Sequence, residues 1–123
     1  MQIIRKGGAL HHQKELGTIV DYHIFDEYEI NVNEVPPGVE QDWHYHRVKE
    51  EVILITSGKI RAEWKEDGEA REAEMHEGDL VRVENAMHRF VNDSKAVCIY
   101  VCFKLVLSGE SKRDILAGDK YSR

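Results

Sequence analysis

The sequence predicts an all-β protein, built as a small antiparallel β-barrel or jelly roll. Its 123 residues form short runs rich in β-branched and aromatic residues, and glycine, proline, asparagine or aspartate separates these runs. Such a pattern is typical of strands joined by turns. Helical periodicity is weak throughout the body of the chain, and there are enough runs to close a small barrel. A chain of this length can bury one core, so we expect a single domain over residues 1–123.

The first two strong strand signals lie in the first half of the chain. Residues 29–35 alternate apolar and polar positions, with Ile30 and Val32 on one face, until Pro36-Pro37-Gly38 ends the run. Residues 51–56 form a more continuous apolar run, which the next two residues, serine and glycine, terminate. Both segments are therefore predicted strands.

The next segment alternates without a fault. Residues 59–65 place Ile60, Ala62 and Trp64 on one side, which we expect to face inward, and four charged residues on the other. The glycine-containing stretch Glu66–Glu69 then reads as a hairpin connection.

Strand signals continue to the end of the predicted barrel. Gly78-Asp79 introduces a short strand at 80–83, and residues 96–106 form a long apolar strand. Only Ser111–Ala117, with Gly118 as a C-cap, has the pattern of a short helix. We therefore expect a core barrel at about residues 28–105, an N-terminal strand extension at 1–27 and a C-terminal tail at 106–123.

Composition excludes several classes of function. The net charge of −6 argues against binding to nucleic acid or to an anionic membrane surface, and no segment is long and apolar enough to span a membrane. The first residues lack the apolar stretch of a signal peptide. Cys98 and Cys102 would lie roughly 13 Å apart on one straight strand, too far for a disulfide. Reduced thiols in a cytoplasmic protein are the simpler interpretation.

Two histidines stand at the spacing of metal ligands. His44 and His46 are separated by one residue, so on a strand their imidazoles point to the same side. Glu51 follows in the next predicted strand, and His88 lies in a second, similar segment. Three imidazoles and one carboxylate suit a divalent first-row transition metal better than calcium or a thiolate-bound structural zinc.

These residues resemble the two motifs of the cupin family, small β-barrels of jelly-roll type, over roughly residues 28 to 105. The first cupin motif has a glycine, five residues, His-x-His, three or four residues, a glutamate, six residues and a glycine. The second opens with a glycine and ends in a histidine, followed four positions later by an asparagine. The sequence matches the first motif with Gly38, His44, His46, Glu51 and Gly58, and the second with Gly78, His88 and Asn92.

The match selects one of two adjacent glutamates and departs from the family at one turn. Glu50 fits only the spacing to the histidines, whereas Glu51 fits both that spacing and the gap to Gly58, so Glu50 is expected on the opposite face. Before the third histidine, residues 83–87 replace the usual proline and glycine, and the turn is one residue shorter than the commonest form. Asn85 tolerates a left-handed backbone, so a tight turn can still form there.

The resemblance implies that one divalent metal is bound by four residues: His44, His46, Glu51 and His88. Relatives use iron, manganese, nickel, copper or zinc, so the metal is not specified. It implies a metal-dependent dioxygenase or isomerase acting on a small oxygenated molecule. The alternative is a non-catalytic module that binds or senses a small molecule through the same metal. A barrel with a vacant site that binds a sugar or acid is a third interpretation, because a fold does not fix a function.

The resemblance also implies partners and further residues. A homodimer is expected, because small cupins often pair through their sheets and residues 3–4 and 16–25 carry apolar side chains to bury. The absence of a helix-turn-helix argues against a transcription factor.

Tyr100, if it points inward, could donate a hydrogen bond to a bound substrate, and Arg82 could hold a carboxylate or phosphate. Core packing and an exposed strand arginine are the respective alternatives. The remaining candidates are expected away from the metal: the histidines His11, His12, His23 and His76, and the aromatic residues Trp43 and Tyr45 on the outside of the barrel or in a subunit contact.

Overall fold

The computed structural model describes residues 1–106 and 121–122, and strands dominate this part of the chain. A short 3-10 turn at Lys6–Gly8 precedes the first strand. The strands are β1 (Leu10–Gln13), β2 (Ile19–Ile24), β3 (Tyr28–Val35), β4 (His44–Tyr45), β5 (Lys49–Ser57), β6 (Lys59–Glu66), β7 (Glu69–His76), β8 (Leu80–Arg82), β9 (His88–Val91), β10 (Cys98–Val106) and β11 (Tyr121–Ser122).

The strands form two antiparallel sheets. One sheet has six strands in the order β1-β2-β3-β10-β5-β8, and the other has five in the order β11-β4-β9-β6-β7. Strands distant in sequence are neighbours in both sheets, as in β3 against β10 and β4 against β9. The predicted all-β, antiparallel architecture of jelly-roll type is confirmed. Strands β1 and β2 extend the six-stranded sheet beyond β3.

The hydrophobic core is shared between the two sheets. Ile53 and Ile55 come from β5, Ile60 from β6 and Phe90 from β9, and all four are almost fully buried. The predicted inward face of β6 is confirmed, because Ile60 and its alternate neighbour Ala62 are buried together. The alternation of β6 therefore places one apolar row in the core and leaves its charges outside.

Strand β3 has the opposite arrangement. Its polar residues Glu29, Asn31 and Asn33 point into the molecule and are only 2%, 2% and 4% exposed, whereas Ile30 and Val32 lie on the outer face and are half-buried. Burying polar side chains costs free energy unless they are hydrogen-bonded. The inner face of β3 therefore carries a row of polar groups, beside the apolar core residues that β5 contributes to the same sheet.

Two tight turns position the strands of the site. Asp67 and Gly68, both with positive φ, connect β6 to β7, which confirms the predicted hairpin. Glu84 and Asn85 both adopt the left-handed conformation, at φ 54° and 62°, just before β9. The expected tight turn is thus present, and Glu84, the residue before Asn85, adopts the same backbone conformation, which is uncommon for a residue with a side chain. The predicted helix at residues 111–117 lies outside the described residues.

No helix among the described residues has the length and apolar character needed to cross a bilayer.

Candidate metal centre

The four predicted ligands come from both sheets. His44 lies on β4, and His46 is the first residue after that strand. His88, on β9, is directly opposite His44 in the antiparallel pair. Glu51 comes from β5 of the other sheet. The gap between the two sheets therefore separates the carboxylate from the imidazoles, and the site spans that gap.

The side chains of these residues meet inside the molecule. His46 Nε2 lies 2.7 Å from Glu51 Oε2, and one donor atom each of His44, His46 and Glu51 falls within 4.8 Å of the others. His88 Nε2 is slightly farther away, at 3.9 Å from Glu51 Oε1, and its ring centroid is 4.4 Å from that of His44. Three predicted ligands thus form one compact group, and His88 borders it.

Backbone carbonyls fix the orientation of two imidazoles. His44 Nδ1 donates to the carbonyl oxygen of Asp42 at 3.0 Å, and His88 Nδ1 donates to that of Ala86 at 2.7 Å. A carbonyl can only accept, so each ring carries its proton on Nδ1 and leaves Nε2 as an acceptor. Proteins commonly orient a metal-binding histidine in this way, through a hydrogen bond from the ring nitrogen that does not bind the metal.

The donor set fits a divalent cation. His88 Nε2 is fully buried, and the described part of the chain offers it no hydrogen bond. A buried polar atom left in this state costs about 1–3 kcal/mol. A cation between the two sheets would satisfy this nitrogen, and imidazole nitrogen with carboxylate oxygen is a ligand set for first-row transition metals.

The electrostatics favour the protonation states that metal binding needs. Burial and the nearby His88 lower the pKa of His44 to about 3, and burial lowers the pKa of His88 below its ordinary value. Burial alone would raise the pKa of Glu51, but the Lys104 ammonium and the neighbouring imidazoles hold it well below its usual range. At neutral pH, His44 and His88 are therefore neutral and Glu51 is ionised, as metal ligands must be.

A row of charges crosses the six-stranded sheet beside the cluster. Lys104 on β10 is directly opposite Glu29 on β3 and Glu51 on β5. Its Nζ lies 3.5 Å from Glu29 Oε2. Burial would lower the pKa of Lys104, but the charges of Glu51 and Glu29 raise it above its ordinary value. Lys104 therefore stays charged between the two carboxylates.

A ladder of amides continues from this row. Asn31 Nδ2 donates to Glu29 Oε2 at 2.5 Å, and Asn33 Nδ2 donates to Asn31 Oδ1 at 2.5 Å. These bonds satisfy polar groups that would otherwise be costly to bury. They also hold the Glu29 carboxylate beside Lys104.

A small cavity of about 30 Å³ opens next to the cluster. Tyr100 is buried there, and its hydroxyl oxygen accepts a hydrogen bond from Gln41 Nε2 at 3.0 Å. Burial raises the pKa of Tyr100 well above its ordinary value, so it remains a neutral phenol. The polar lining consists of Lys14, Tyr22, Asn31, Asn33, Gln41, His44, Glu51, Tyr100 and Lys104.

The other predicted candidate, Arg82, lies apart from this cavity. Its side chain is 62% exposed and pairs with Glu50, the glutamate expected on the opposite face from Glu51. It borders a larger groove of about 780 Å³ between the β6–β7 hairpin and β8, and His88 reaches the wall of that groove. The structure thus brings Tyr100, but not Arg82, to the polar cavity.

Residues expected away from the metal lie outside the cluster. On the outer surface, the Trp43 ring packs against Arg89 and Lys65, whose cationic groups are 5.1 and 5.3 Å from the ring centre. The group of potential ligands found among the described residues includes none of the other four histidines: His11, His12, His23 and His76.

Sequence reasoning missed Lys104, Glu29, Asn31, Asn33 and Gln41. The signal for three of them was visible, because the alternation of β3 places polar residues on one face as regularly as apolar residues on the other. Lys104 was equally visible as a charge inside the long apolar strand β10.

The two cysteines lie in the interior and are not paired in a disulfide. Burial raises the pKa of Cys98 to about 11 and that of Cys102 well above its ordinary value. Both remain thiols at neutral pH, and thiols are much weaker nucleophiles than thiolates.

Solved structures show the same fold. CapF, solved with the inhibitor 3-isopropenyl-tropolone, superposes with a TM-score of 0.72 at 20% identity, over 93% of this chain and 33% of CapF. A sugar phosphate isomerase of the cupin superfamily from Silicibacter pomeroyi gives 0.68 at 16% identity, over 85% and 75% of the two chains. Oxalate decarboxylase of Lactobacillus farciminis, in a formate complex, gives 0.69 at 17%, over 82% and 34%. At these identities the likeness shows the fold alone.

Sequence comparison identifies the family. No curated protein sequence matches the chain, and the chain spans about a third of the CapF protein. The family model for the cupin domain matches residues 31–104, which is more than half of the chain and includes all four predicted ligands. The protein therefore belongs to the cupin family.

Proposed function

We propose that His44, His46, Glu51 and His88 bind one divalent transition metal. The observation that carries this proposal is the meeting of buried donor atoms from both sheets, including the unsatisfied Nε2 of His88. The metal can be iron, manganese, nickel, copper or zinc, because this ligand set does not select among them. When bound, it would polarise an oxygen atom of a substrate.

The proposed activity is metal-dependent oxidation or isomerisation of a small oxygenated molecule that enters the polar cavity. Structural neighbours include a sugar phosphate isomerase, oxalate oxidase and oxalate decarboxylase, which support a metal-type enzyme of the cupin family. In this chain, Tyr100 would orient the substrate by donating its hydroxyl proton. Arg82 does not line this cavity, and its exposed side chain pairs with Glu50 instead.

The second candidate is a non-catalytic module that binds a small molecule through the same metal. It is favoured by the protonation states of the cavity. Tyr100 and Cys102 hold their protons far above neutral pH, and Lys104 stays charged. General bases work best with a pKa near the operating pH. None of these three side chains meets that requirement.

Turnover by defined metal forms separates the two candidates. Iron, manganese, nickel and zinc forms are mixed with diols, keto acids and sugar phosphates, and oxygen consumption or isomer formation is measured. His88→Ala should abolish turnover and weaken metal binding, while His76→Ala, which removes an exposed histidine, should change neither. Stoichiometric binding of ligands without turnover in any metal form would contradict the catalytic proposal and support the binding module.

We also propose a homodimer formed through the outer face of the six-stranded sheet. By strand register, Val32 and Ile30 of β3, Val101 and Phe103 of β10 and Leu54 of β5 form a continuous apolar surface there. A sheet face in water normally carries polar side chains. The net charge of −6 makes two copies of the chain repel each other, but these five side chains carry no charge. A second copy is therefore the proposed partner of this surface.

Light scattering tests the dimer. Phe103→Glu should convert the protein to a monomer, because it would bury a charge in the contact. Val97→Glu is the matched control, since Val97 is similarly exposed but lies on the connection before β10. A wild-type monomer, or equal effects of the two variants, would contradict the proposed contact.

The proposed location is the cytoplasm, which the two unpaired, buried cysteines support.

A further inference from the structure

We propose that the free edge of β7, with the groove beside it, binds an extended segment of a partner protein in which basic and apolar residues alternate. The segment would join the five-stranded sheet as a further strand. This surface is separate from the predicted metal ligands, apart from His88 at the groove wall. Three features carry the proposal: an unpaired strand edge, an apolar groove along it, and charge of one sign.

Among the described residues, β7 is the longest of the four strands at the sheet edges. It has eight residues, whereas β1, β8 and β11 have four, three and two. Proteins commonly keep edge strands short, because the unpaired backbone groups there can pair with another chain. At about 3.3 Å per residue, β7 offers roughly 26 Å of edge to an added strand.

The hydrogen bonds of the β6–β7 hairpin show which backbone groups face this edge. Lys65 N–H donates to the carbonyl oxygen of Met87, on the β9 side of β6, and backbone groups of successive residues alternate in direction. The residues of β7 opposite odd-numbered residues of β6 therefore turn their N–H and C=O groups outward. They include Ala70, Glu72 and Glu74. His76, next in this series, donates its N–H to the Asp79 carboxylate, but no described strand pairs with the other three.

An apolar groove of about 780 Å³ lies on the inner side of this edge, between the β6–β7 hairpin and β8. Side chains of an added strand alternate between the two faces of the sheet, so every second one would enter the groove. Peptides that join a sheet edge gain affinity from main-chain hydrogen bonds and specificity from such pockets. The groove therefore favours apolar side chains at alternate positions. Its apolar lining comes from both sheets: Ala62, Trp64, Ala73, Met75, Val81 and Phe90.

The net charge of the chain is concentrated on β7 and its two turns. Residues 66–79 contain seven acidic residues and one basic residue, so they carry a charge of −6, equal to that of the whole chain. On the outer face, Glu72 lies 3.5 Å from Arg61, which also pairs with two other carboxylates, and Glu74 lies 3.2 Å from Lys59. Two copies of this edge would repel each other. A partner with basic side chains between its apolar ones complements the edge.

Fluorescence anisotropy with a labelled seven-residue peptide of alternating lysine and valine tests the proposal. We expect saturable one-to-one binding that weakens as salt rises from about 0.05 to 0.5 M, because salt screens exposed charges. Peptides with serine in place of valine, or glutamate in place of lysine, should bind at least about tenfold more weakly. Equal binding of all three peptides, or binding of none, would overturn the proposal, and the acidic residues would then only protect the edge from aggregation.

Two N-methylated peptides test whether the segment is added as a strand. In an antiparallel pair, residues that exchange hydrogen bonds have their side chains on the same face, so the lysines, beside the outer-face glutamates, supply the N–H groups that reach β7. Methylation of the lysine backbone nitrogens should weaken binding at least about tenfold, the equivalent of one or two hydrogen bonds. Methylation of the valine nitrogens keeps the same charge and should change affinity less than about threefold. Equal losses would refute strand addition.

Variants of the protein separate the backbone from the charge. Ala70→Pro removes one outward N–H without changing the charge, and proline is tolerated at such edge positions. It should weaken binding about two- to tenfold. Glu72→Gln should weaken it about two- to fivefold, whereas Glu15→Gln, which removes the same charge from the exposed connection between β1 and β2, should not. Equal effects of the two glutamine variants would contradict the assigned surface.

Thermal melts establish that each variant folds. If Ala70→Pro does not fold, the N-methylated peptides and Glu72→Gln decide. A peptide of residues 1–8, which has two basic residues and no acidic one, tests a second copy of the chain as the occupant. Tighter binding of this peptide than of the alternating peptide would assign the edge to a second copy and overturn the proposed partner.

Discussion

Adjacent glutamates on β5 provide a matched pair for testing the metal site. Glu51 is 6% exposed, and its oxygens lie 2.7 Å from His46 Nε2 and 3.9 Å from His88 Nε2. Glu50 points to the other face of the sheet and pairs with Arg82. The two residues have the same chemistry, so substitution of each by glutamine removes the same charge on opposite sides of one strand.

The expected losses of affinity differ strongly. Groups that merely hydrogen-bond a ligand change metal affinity by about 10–100-fold. A ligand should exceed this, so Glu51→Gln should weaken zinc binding at least about 100-fold, or about 2.7 kcal/mol. The Glu50 carboxylate lies on the order of 10 Å from the cluster across the sheet. At that distance its attraction for a divalent cation in a water-like dielectric is about 0.8 kcal/mol before salt screening. Glu50→Gln should therefore weaken binding less than about fourfold.

Competition with a chromophoric zinc chelator at pH 7.5 and 0.15 M salt measures both affinities, and thermal melts of the metal-free variants confirm that they fold. Equal losses in the two variants would refute the assignment of Glu51. A larger loss in Glu50→Gln would show that the two residues had been assigned to the wrong faces.

Three further predictions concern stability and reactivity. The pKa of His44 is lowered from 6.5 to about 3. Between these values the unfolded chain binds a proton that the folded chain does not. The metal-free protein should lose up to about 1.4 kcal/mol per pH unit from this residue as pH falls from 6.5 towards 3, and His44→Asn should flatten that slope in urea titrations. Gly58→Ala should lower the melting temperature more than Gly68→Ala. Both positions have positive φ, but only at Gly58 would the new Cβ meet a backbone oxygen, at 2.6 Å. Cys98 and Cys102, buried thiols with raised pKa values, should react with a thiol reagent at pH 7.5 only after unfolding, and rapid labelling of the folded protein would contradict their burial.

Local patterns predicted much of this fold. The alternation of β6, the glycine-containing hairpin after it and the one-residue spacing of His44 and His46 are properties of a few consecutive residues. Each element follows from backbone geometry that those residues alone impose. The tolerance of Asn85 for a left-handed backbone is a local property of the same kind.

The polar wall of the site could not be predicted in this way. Alternation in β3 separates two faces but does not say which one turns inward, and the buried face carries Glu29, Asn31 and Asn33. Lys104 meets Glu29 and Glu51 only because β10 lies between β3 and β5 in the sheet. Contacts between residues that distant in sequence depend on tertiary pairing, which single-strand patterns do not contain.

A crystal structure of the metal-loaded protein, with anomalous diffraction at the absorption edge of the bound metal, tests the central claim most directly. We expect one anomalous peak between the two sheets, with donor atoms of His44, His46, Glu51 and His88 about 2.0–2.3 Å from it. A peak at the surface histidines with none between the sheets, or a peak between the sheets without Glu51 in its coordination sphere, would contradict the account.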